Sequence, residues 1–318
     1  MPNLPPTPPD ASRAPKSGRP TAGGATAGGA AAGGATAGVL VAIPVFNEAR
    51  HVDDVLRKVF AQHPHVLVVD DGSTDGTPQR LAAWPTLHRI THPRNLGYGR
   101  SLIDAFAYAQ RAGFDWVITM DCDEQHEPER IPAFLEAIRT DRWDLISGSR
   151  YLEPRPDDHR PPEDRAAINA CLTRLLNDLY GLGITDAFCG FKAHRVASMR
   201  ALSLTEPGYA FPMQLWPQVK RAGLRLTELP VRRIYADLSR TFGSGLDQPL
   251  VRLTHYLEVL SREHERLFGA TPKLPEASAL LAGARWSASA TSPGAARATA
   301  SEPEAASPAE PSACCGCR

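Results

Sequence analysis

The chain has 318 residues, and its 35 Lys and Arg balance 35 Asp and Glu, so no global field draws it to nucleic acid or an anionic surface. Any anion site must be local. No window approaches the run of about 18 apolar residues of a membrane span, and the N-terminus lacks the apolar core of a secretory signal, so the chain is read as soluble and cytoplasmic.

Both ends differ from the middle. Residues 1–38 carry TAGGATAGGAAAGGATAG after a Pro-rich start, and residues 270–318 are rich in Ala, Ser, Pro and Glu. Neither holds enough large apolar surface to offset the entropy of ordering, so both are expected to be disordered tails around one domain, residues 39–269. The acid-poor, Gly-rich N-terminal tail reads as a linker, with an organelle transit peptide as the alternative. Cysteines are scattered at Cys122, Cys171 and Cys189 and clustered at Cys314, Cys315 and Cys317. That cluster matches neither a paired CxxC zinc site nor a prenylation box; it reads as solvated tail, with metal or lipid attachment as the alternative.

In chain order, VLVAIPV (39–45) is a short apolar strand, and Val52, Val55, Leu56, Val59 and Phe60 recur at the spacing of one helical face. HVLVV (65–69) is a second buried strand. DDGSTDGTP supplies turn residues, with Thr77 as N-cap and Pro78 opening a helix. A strand over 87–91 leads through HPRNLGYG to a helix over 100–112. A strand over 114–120, a helix over 128–140 and a strand over 143–147 follow. Strands without period-2 polarity that alternate with helices predict a doubly wound α/β fold, a mostly parallel sheet with helices on both faces. Ligands bind such sheets beyond the carboxyl ends of the strands, where 44–48, 70–75, 121–125 and 148–150 all fall. Farther on, a helix over 163–180 and another over 212–222 precede strand-like runs at 226–229 and 231–235. Leu250, Leu253, Leu257 and Leu260 mark an amphipathic helix, read as packed on the domain, with a membrane surface as the alternative.

The chain contains no GxxxxGK[ST] and no GxSxG, and Gly97-Tyr98-Gly99 lacks the third glycine of a dinucleotide fingerprint. Asp121-Cys122-Asp123 is a DxD at a strand end. If the strand runs through it, alternation puts both carboxylates on one side, and with Glu124 and Gln125 beside them they suit Mg²⁺ or Mn²⁺, the favoured reading at a strand end, with a surface turn as the alternative. Ser73, Thr74 and Asp75 suffice for the turn after the second strand, which leaves Asp70 or Asp71 for a base or ribose. His126 either orients the loop or acts directly.

VAIPVFNE, VLVVDDGSTDGT, RNLGYG, ITMDCDEQHEPE and ISGSRY, in this order and spacing over about residues 39–245, resemble the family-2 glycosyltransferases of the GT-A fold. They are most similar to the polyprenyl (dolichyl) phosphate mannose synthase branch. The resemblance implies an inverting glycosyltransferase that takes a sugar from a GDP- or UDP-sugar to an acceptor, a polyprenyl phosphate, with Mg²⁺ or Mn²⁺. It also implies site residues. Pro44, Asn47 and Glu48 would line the nucleotide pocket and Asp71 would bond the base. Asp121 would support ribose and metal, Asp123 and Gln125 would ligate the metal, and Arg150, Arg165 and Arg240 would hold the acceptor phosphate. Asp121, Asp123 and Arg150 are the expected catalytic set. For any single arginine the plain alternative is a surface ion pair. The family's G-x-S-K-L ending appears here as GSGLDQP, and ITDAFCGFKAHR replaces D-x-T-x-G-F-R, so the chain departs from its relatives on the acceptor side. Two other functions compete: a sugar-1-phosphate nucleotidyltransferase, which would need a Gly-rich signature and a lysine near the first strand, and a nucleotide-binding scaffold without catalysis. A peripheral membrane contact is compatible with the acceptor.

Overall fold

A computed structural model describes residues 38–235, 242, 243 and 245–283. Arg240 and the terminal cysteine cluster lie outside these residues. Among the described residues the strands are β1 (Val39–Val45), β2 (Val66–Asp70), β3 (His88–Thr91), β4 (Trp116–Thr119), β5 (Leu145–Ser149), β6 (Lys192–Arg195) and β7 (Leu226–Pro230). They form one sheet in the order β3-β2-β1-β4-β6-β5-β7. Every pair is parallel except those of β6, which runs antiparallel to both β4 and β5. The register pairs Val45 with Asp70 and Ser149 with Pro230, so the carboxyl ends of these strands meet along one rim.

The helices are α1 (Val52–Gln62), α2 (Thr77–Ala82), α3 (Tyr98–Ala112), α4 (Ile131–Arg139, entered through a 3-10 turn at Pro128–Arg130), α5 (Glu163–Tyr180), α6 (Val196–Met199), α7 (Phe211–Arg221), α8 (Pro249–Phe268) and α9 (Ala277–Gly283). Strand alternation divides the core in two. Val39, Val41, Ile43 and Val45 of β1 face α1 and α4, where Val52, Leu56, Val59, Ile131 and Phe134 are buried. Leu40 and Ala42 face the other way, towards Leu102, Phe106, Leu172, Trp216 and Leu260 on α3, α5, α7 and α8. Each such aliphatic side chain, withdrawn from water, contributes about 1.5–3 kcal/mol.

Several expectations need correction. β6 has the sequence KAHR, with neither an apolar run nor alternation, so its pattern predicts no strand; it is held between two hydrophobic neighbours by ladder hydrogen bonds, with Lys192 and His194 buried. Residues 231–235 form no strand, because their backbone turns to the 158–159 segment: Arg233 N–H donates to Asp158 Oδ1 at 3.1 Å and Tyr235 N–H to His159 Nδ1 at 3.1 Å. The segment expected to open the C-terminal tail includes α9, whose Ala277 is buried in the core against which Leu280 and Leu281 pack. On α8, Leu253, Leu257 and Leu260 are buried in that core, whereas Leu250 is exposed. No helix among the described residues is long and apolar enough to cross a membrane.

Candidate active site

The rim of the sheet opens into a cleft of about 900 Å³. Its first wall grows from the ends of β1 and β2. Of the residues expected at the nucleotide pocket, Pro44 and Glu48 line this cleft and Asn47 does not. Asn47 adopts a left-handed φ of 56° and turns outward, where its Oδ1 accepts the Thr74 N–H at 2.8 Å and its N–H donates to Ser73 Oγ at 2.9 Å. It fastens one loop to the other. Asp70, expected to be spare, makes the turn itself: its Oδ1 accepts the Ser73 N–H at 3.0 Å. Asp71 lines the cleft, yet its carboxylate already accepts the Leu96 and Gly97 N–H groups, each at 2.8 Å. It thereby pins the RNLGYG segment, in which Gly97 has φ 109° and any side chain would strike the Pro207 carbonyl.

The DxD lies beyond β4, which ends at Thr119, so the expected alternation does not operate there. The Asp121 N–H leaves the sheet ladder and donates to His126 Nδ1 at 2.9 Å, so the DxD turns in a loop that His126 orients. Burial pushes the His126 pKa down to about 4, against the pull of the Asp123 charge, which keeps the ring neutral and able to accept. The Tyr98 hydroxyl donates to Asp121 Oδ1 at 3.1 Å; burial and then the Asp121 charge raise its pKa well above the usual phenol value, which keeps it a donor. Behind them a Cβ at Gly190 would fall 2.6 Å from Asp121 Oδ2 and 2.8 Å from the Tyr98 hydroxyl, so a side chain there would push this pair out of place. Asp121, Asp123 and Gln125 all line the cleft. Glu124 does not join them. With φ 59° it points to α1, 3.2 Å from His51 Nδ1 and 3.7 Å from Lys58 Nζ. Among the described residues no group of three or more His, Cys, Asp or Glu side chains is arranged to hold a metal. Two carboxylates and an amide oxygen do fit a hard cation that keeps waters and takes further oxygens from a substrate diphosphate.

The second wall is basic and aromatic. Arg150, just past β5, lines the cleft and forms a two-pronged pair with Asp186, Nε to Oδ2 at 2.7 Å and Nη2 to Oδ1 at 2.9 Å, while Nη1 donates to the Tyr235 hydroxyl at 3.2 Å. Burial alone would raise the Asp186 pKa, but the Arg150 charge outweighs it and the value falls to about 2. Asn169 Nδ2 supports the same carboxylate at 2.9 Å. Arg165 on α5 and Arg252 on α8 also line the cleft, and their guanidinium groups lie 4.8 Å and 4.4 Å from the Phe242 ring centre. Phe242 meets Tyr209 edge-on at 5.3 Å, and Tyr209 stacks on Tyr98 at 5.8 Å, so an aromatic row joins the two walls. The apolar lining on this side includes Ile168, Phe188, Pro212, Leu246 and Tyr256.

The structure thus gathers Pro44, Glu48, Asp71, Asp121, Asp123, Gln125, Arg150 and Arg165 in one cleft and leaves Asn47 outside it. Sequence reasoning missed Tyr98, Asp186, Tyr235 and Arg252. Arg252 had a legible signal, a charge on the buried face of an amphipathic helix beside Leu253. It is satisfied there by Asp164 and by the Leu246 carbonyl at 2.7 Å.

The chain is 31% identical over 229 residues to the undecaprenyl-phosphate mannosyltransferase of Micrococcus luteus, a match covering 69% of this chain and 93% of the relative. It is 28% identical over 229 residues to the polyprenol monophosphomannose synthase of Mycolicibacterium smegmatis, covering 68% and 86%. In fold it resembles glucosyl-3-phosphoglycerate synthase from Mycobacterium tuberculosis in complex with Mg²⁺ and uridine diphosphate, with TM-score 0.56, 19% identity, and coverage of 74% of this chain and 84% of that one. The profile of glycosyl transferase family 2 matches residues 40–202. With the parallel rim, the acidic wall and these matches together, the chain belongs to glycosyl transferase family 2 and has the GT-A fold.

Proposed function

We propose that this enzyme moves a hexose, with inversion, from a GDP- or UDP-sugar to a polyprenyl phosphate. One observation carries the reading: Asp121, Asp123 and Gln125 share a single cleft with Arg150, Arg165 and Arg252. An acidic wall suits a metal-bound diphosphate, and a wall of guanidinium groups suits a second phosphate. The similarity to an undecaprenyl-phosphate mannosyltransferase supports the acceptor class. Pro44, Glu48 and Asp71 would contact the nucleoside. Asp121, Asp123 and Gln125 would hold Mg²⁺ or Mn²⁺, which as a Lewis acid offsets the charge that builds on the departing diphosphate.

The acceptor phosphate oxygen attacks the anomeric carbon on the face opposite the diphosphate. The new C–O bond forms as the bond to the diphosphate breaks, and no proton needs to be removed from an acceptor that is already anionic. Arg165 would bind that acceptor, with Arg252 supporting the Phe242 face beside it. Arg150 is largely neutralised by Asp186, so its part is to present a rigid, oriented N–H edge. The apolar lining at Ile168, Phe188 and Tyr256 would take the first prenyl units, and the enzyme would then work peripherally at a membrane surface. A nucleotidyltransferase is less suited, since no lysine among the described residues lines the cleft. A thermal-shift panel of nucleotide sugars, with and without Mn²⁺, tests the donor side. Selective, metal-dependent stabilisation by one GDP- or UDP-sugar is expected; no shift with any of them contradicts the reading, and a shift without diphosphate release on adding polyprenyl phosphate would favour a scaffold.

A further inference from the structure

Behind Asp71 lies a buried chain of polar groups that faces neither substrate. His92 follows β3, and its two ring nitrogens meet two different carboxylates: Nδ1 lies 2.6 Å from Asp71 Oδ1 and Nε2 lies 3.0 Å from Asp104 Oδ2. Asp104 sits on α3 and is held from outside by Arg100, whose Nε donates to the same Oδ2 at 2.7 Å. His92 and Asp71 are each less than a tenth exposed, and the Asp104 side chain is 22% exposed, so the chain runs from the protein surface to the cleft. The His92 backbone N–H is fixed as well, donating to the Asp70 carbonyl at 2.9 Å. The ring cannot swing away without breaking its contacts to both carboxylates.

Counting acceptor positions shows what this arrangement does to Asp71. Among the described residues, Oδ1 receives His92 and the Leu96 N–H, and Oδ2 receives the Gly97 N–H alone. A carboxylate has about four lone-pair positions, two on each oxygen. Oδ1 is therefore filled and Oδ2 has room for one more donor, on a residue that lines the cleft. A single anionic acceptor position suits a base that presents a ring N–H, as uracil does at N3 and guanine at N1. Cytosine and adenine present a ring lone pair at the corresponding edge, which a carboxylate repels.

We propose that His92 is a positioning residue: by tying Asp71 to Asp104 it turns Oδ1 inward and leaves Oδ2 as the one acceptor for the ring N–H of the donor base. This rests on the reading above, that the nucleoside lies against Asp71. A carboxylate torsion is soft, so without the bridge Asp71 is free to turn and its acceptor position loses its aim. A histidine that merely satisfied a buried acid would support the fold and leave base preference untouched.

Calorimetry with Mn²⁺ and four probes, UDP, GDP, N3-methyl-UDP and N1-methyl-GDP, separates the two. In the wild-type enzyme the preferred nucleotide should bind more tightly than its methylated form, which has no ring N–H to give. In His92→Gln, whose amide can serve only one of the two carboxylates, the preferred nucleotide should weaken about tenfold while the methylated form is unchanged. Asp104→Asn, at a partly exposed position, should shift the ratio the same way by about threefold, and decides the matter if His92→Gln does not fold. Asp71→Asn should abolish the preference. Wild-type preference retained in both outer variants, or equal weakening of both forms, overturns the role of His92. A preference that survives in Asp71→Asn, or is missing from the wild-type enzyme, overturns the placement of the base and the proposal with it.

Discussion

The two walls of the cleft are built differently. The donor wall is made of short loops that follow β1, β2 and β4, two of them closed by hydrogen bonds within the loop: the Ser73 N–H donates to Asp70 Oδ1 and the Asp121 N–H to His126 Nδ1. The acceptor wall is assembled from residues far apart in sequence through ion pairs, Arg150 with the buried Asp186 and the buried Arg252 with Asp164. Loops closed by local hydrogen bonds leave a readable motif, because spacing along the chain dictates the geometry. Pairs made across the fold leave only isolated charges whose partners spacing does not reveal.

The largest expected effect breaks the donor wall alone. Asp123→Asn should lower transfer by at least about a hundredfold and abolish metal-dependent nucleotide binding, with little change in the unfolding midpoint, because Asp123 lies at the cleft in the loop beyond β4, where its Oδ1 accepts the Gln125 N–H at 3.2 Å. Calorimetry alongside thermal unfolding checks both halves. On the acceptor wall the opposite balance is expected. Asp186→Ala strands the Arg150 guanidinium among buried groups and should cost about 3–5 kcal/mol in denaturant unfolding, with transfer falling as well. A variant that unfolds like the wild type would erase the contrast between the walls.

A third expectation concerns the sheet that carries both walls. Burial lowers the His194 pKa from 6.5 to about 3, with the Lys192 charge adding to it, and His194 Nδ1 has no hydrogen-bond partner among the described residues. The folded ring refuses a proton that the unfolded ring accepts. Stability from this group is therefore fully present above pH 6.5 and is lost as the pH falls from 6.5 towards 3. His194→Leu should flatten that part of the stability profile, as urea titrations at a series of pH values would show. Unaltered acid sensitivity would mean that other groups dominate it.

Smaller effects sharpen the donor wall. Tyr98→Phe removes one hydrogen bond to Asp121 and should weaken Mn²⁺–nucleotide binding by a few-fold, about 0.5–1.5 kcal/mol. Glu124→Gln should leave transfer near wild type and cost at most about 1 kcal/mol of stability, because this acid is turned to His51 and Lys58 and stays partly solvated. A severe loss of transfer in Glu124→Gln would return that residue to the metal site.

Much of the fold was legible because its strands are apolar and alternate with helices of clear period: β1, α1, β2 and α5 fall where the pattern predicts them. β6 was not, since a strand sheltered between two others can be polar if its charges find partners, as Lys192 does at the Cys189 carbonyl. In the cleft the acids of the DxD were legible as residues but not as geometry. Glu124 looks equivalent to Asp123 in sequence, and only its left-handed backbone sends it the other way. Asn47 was misplaced for the same reason. The part played by Asp186 is not legible in the sequence, because nothing local shows that Arg150, Asn169 and three backbone N–H groups at 150, 188 and 189 converge on it.

The claim that one cleft holds both a metal-bound diphosphate and an acceptor phosphate is tested most directly by measuring transfer of labelled hexose to a short polyprenyl phosphate and to the same polyprenol without its phosphate, each with and without EDTA. The account predicts product only with the phosphorylated lipid and only without the chelator. Equal transfer to the bare alcohol, or transfer indifferent to EDTA, would contradict it.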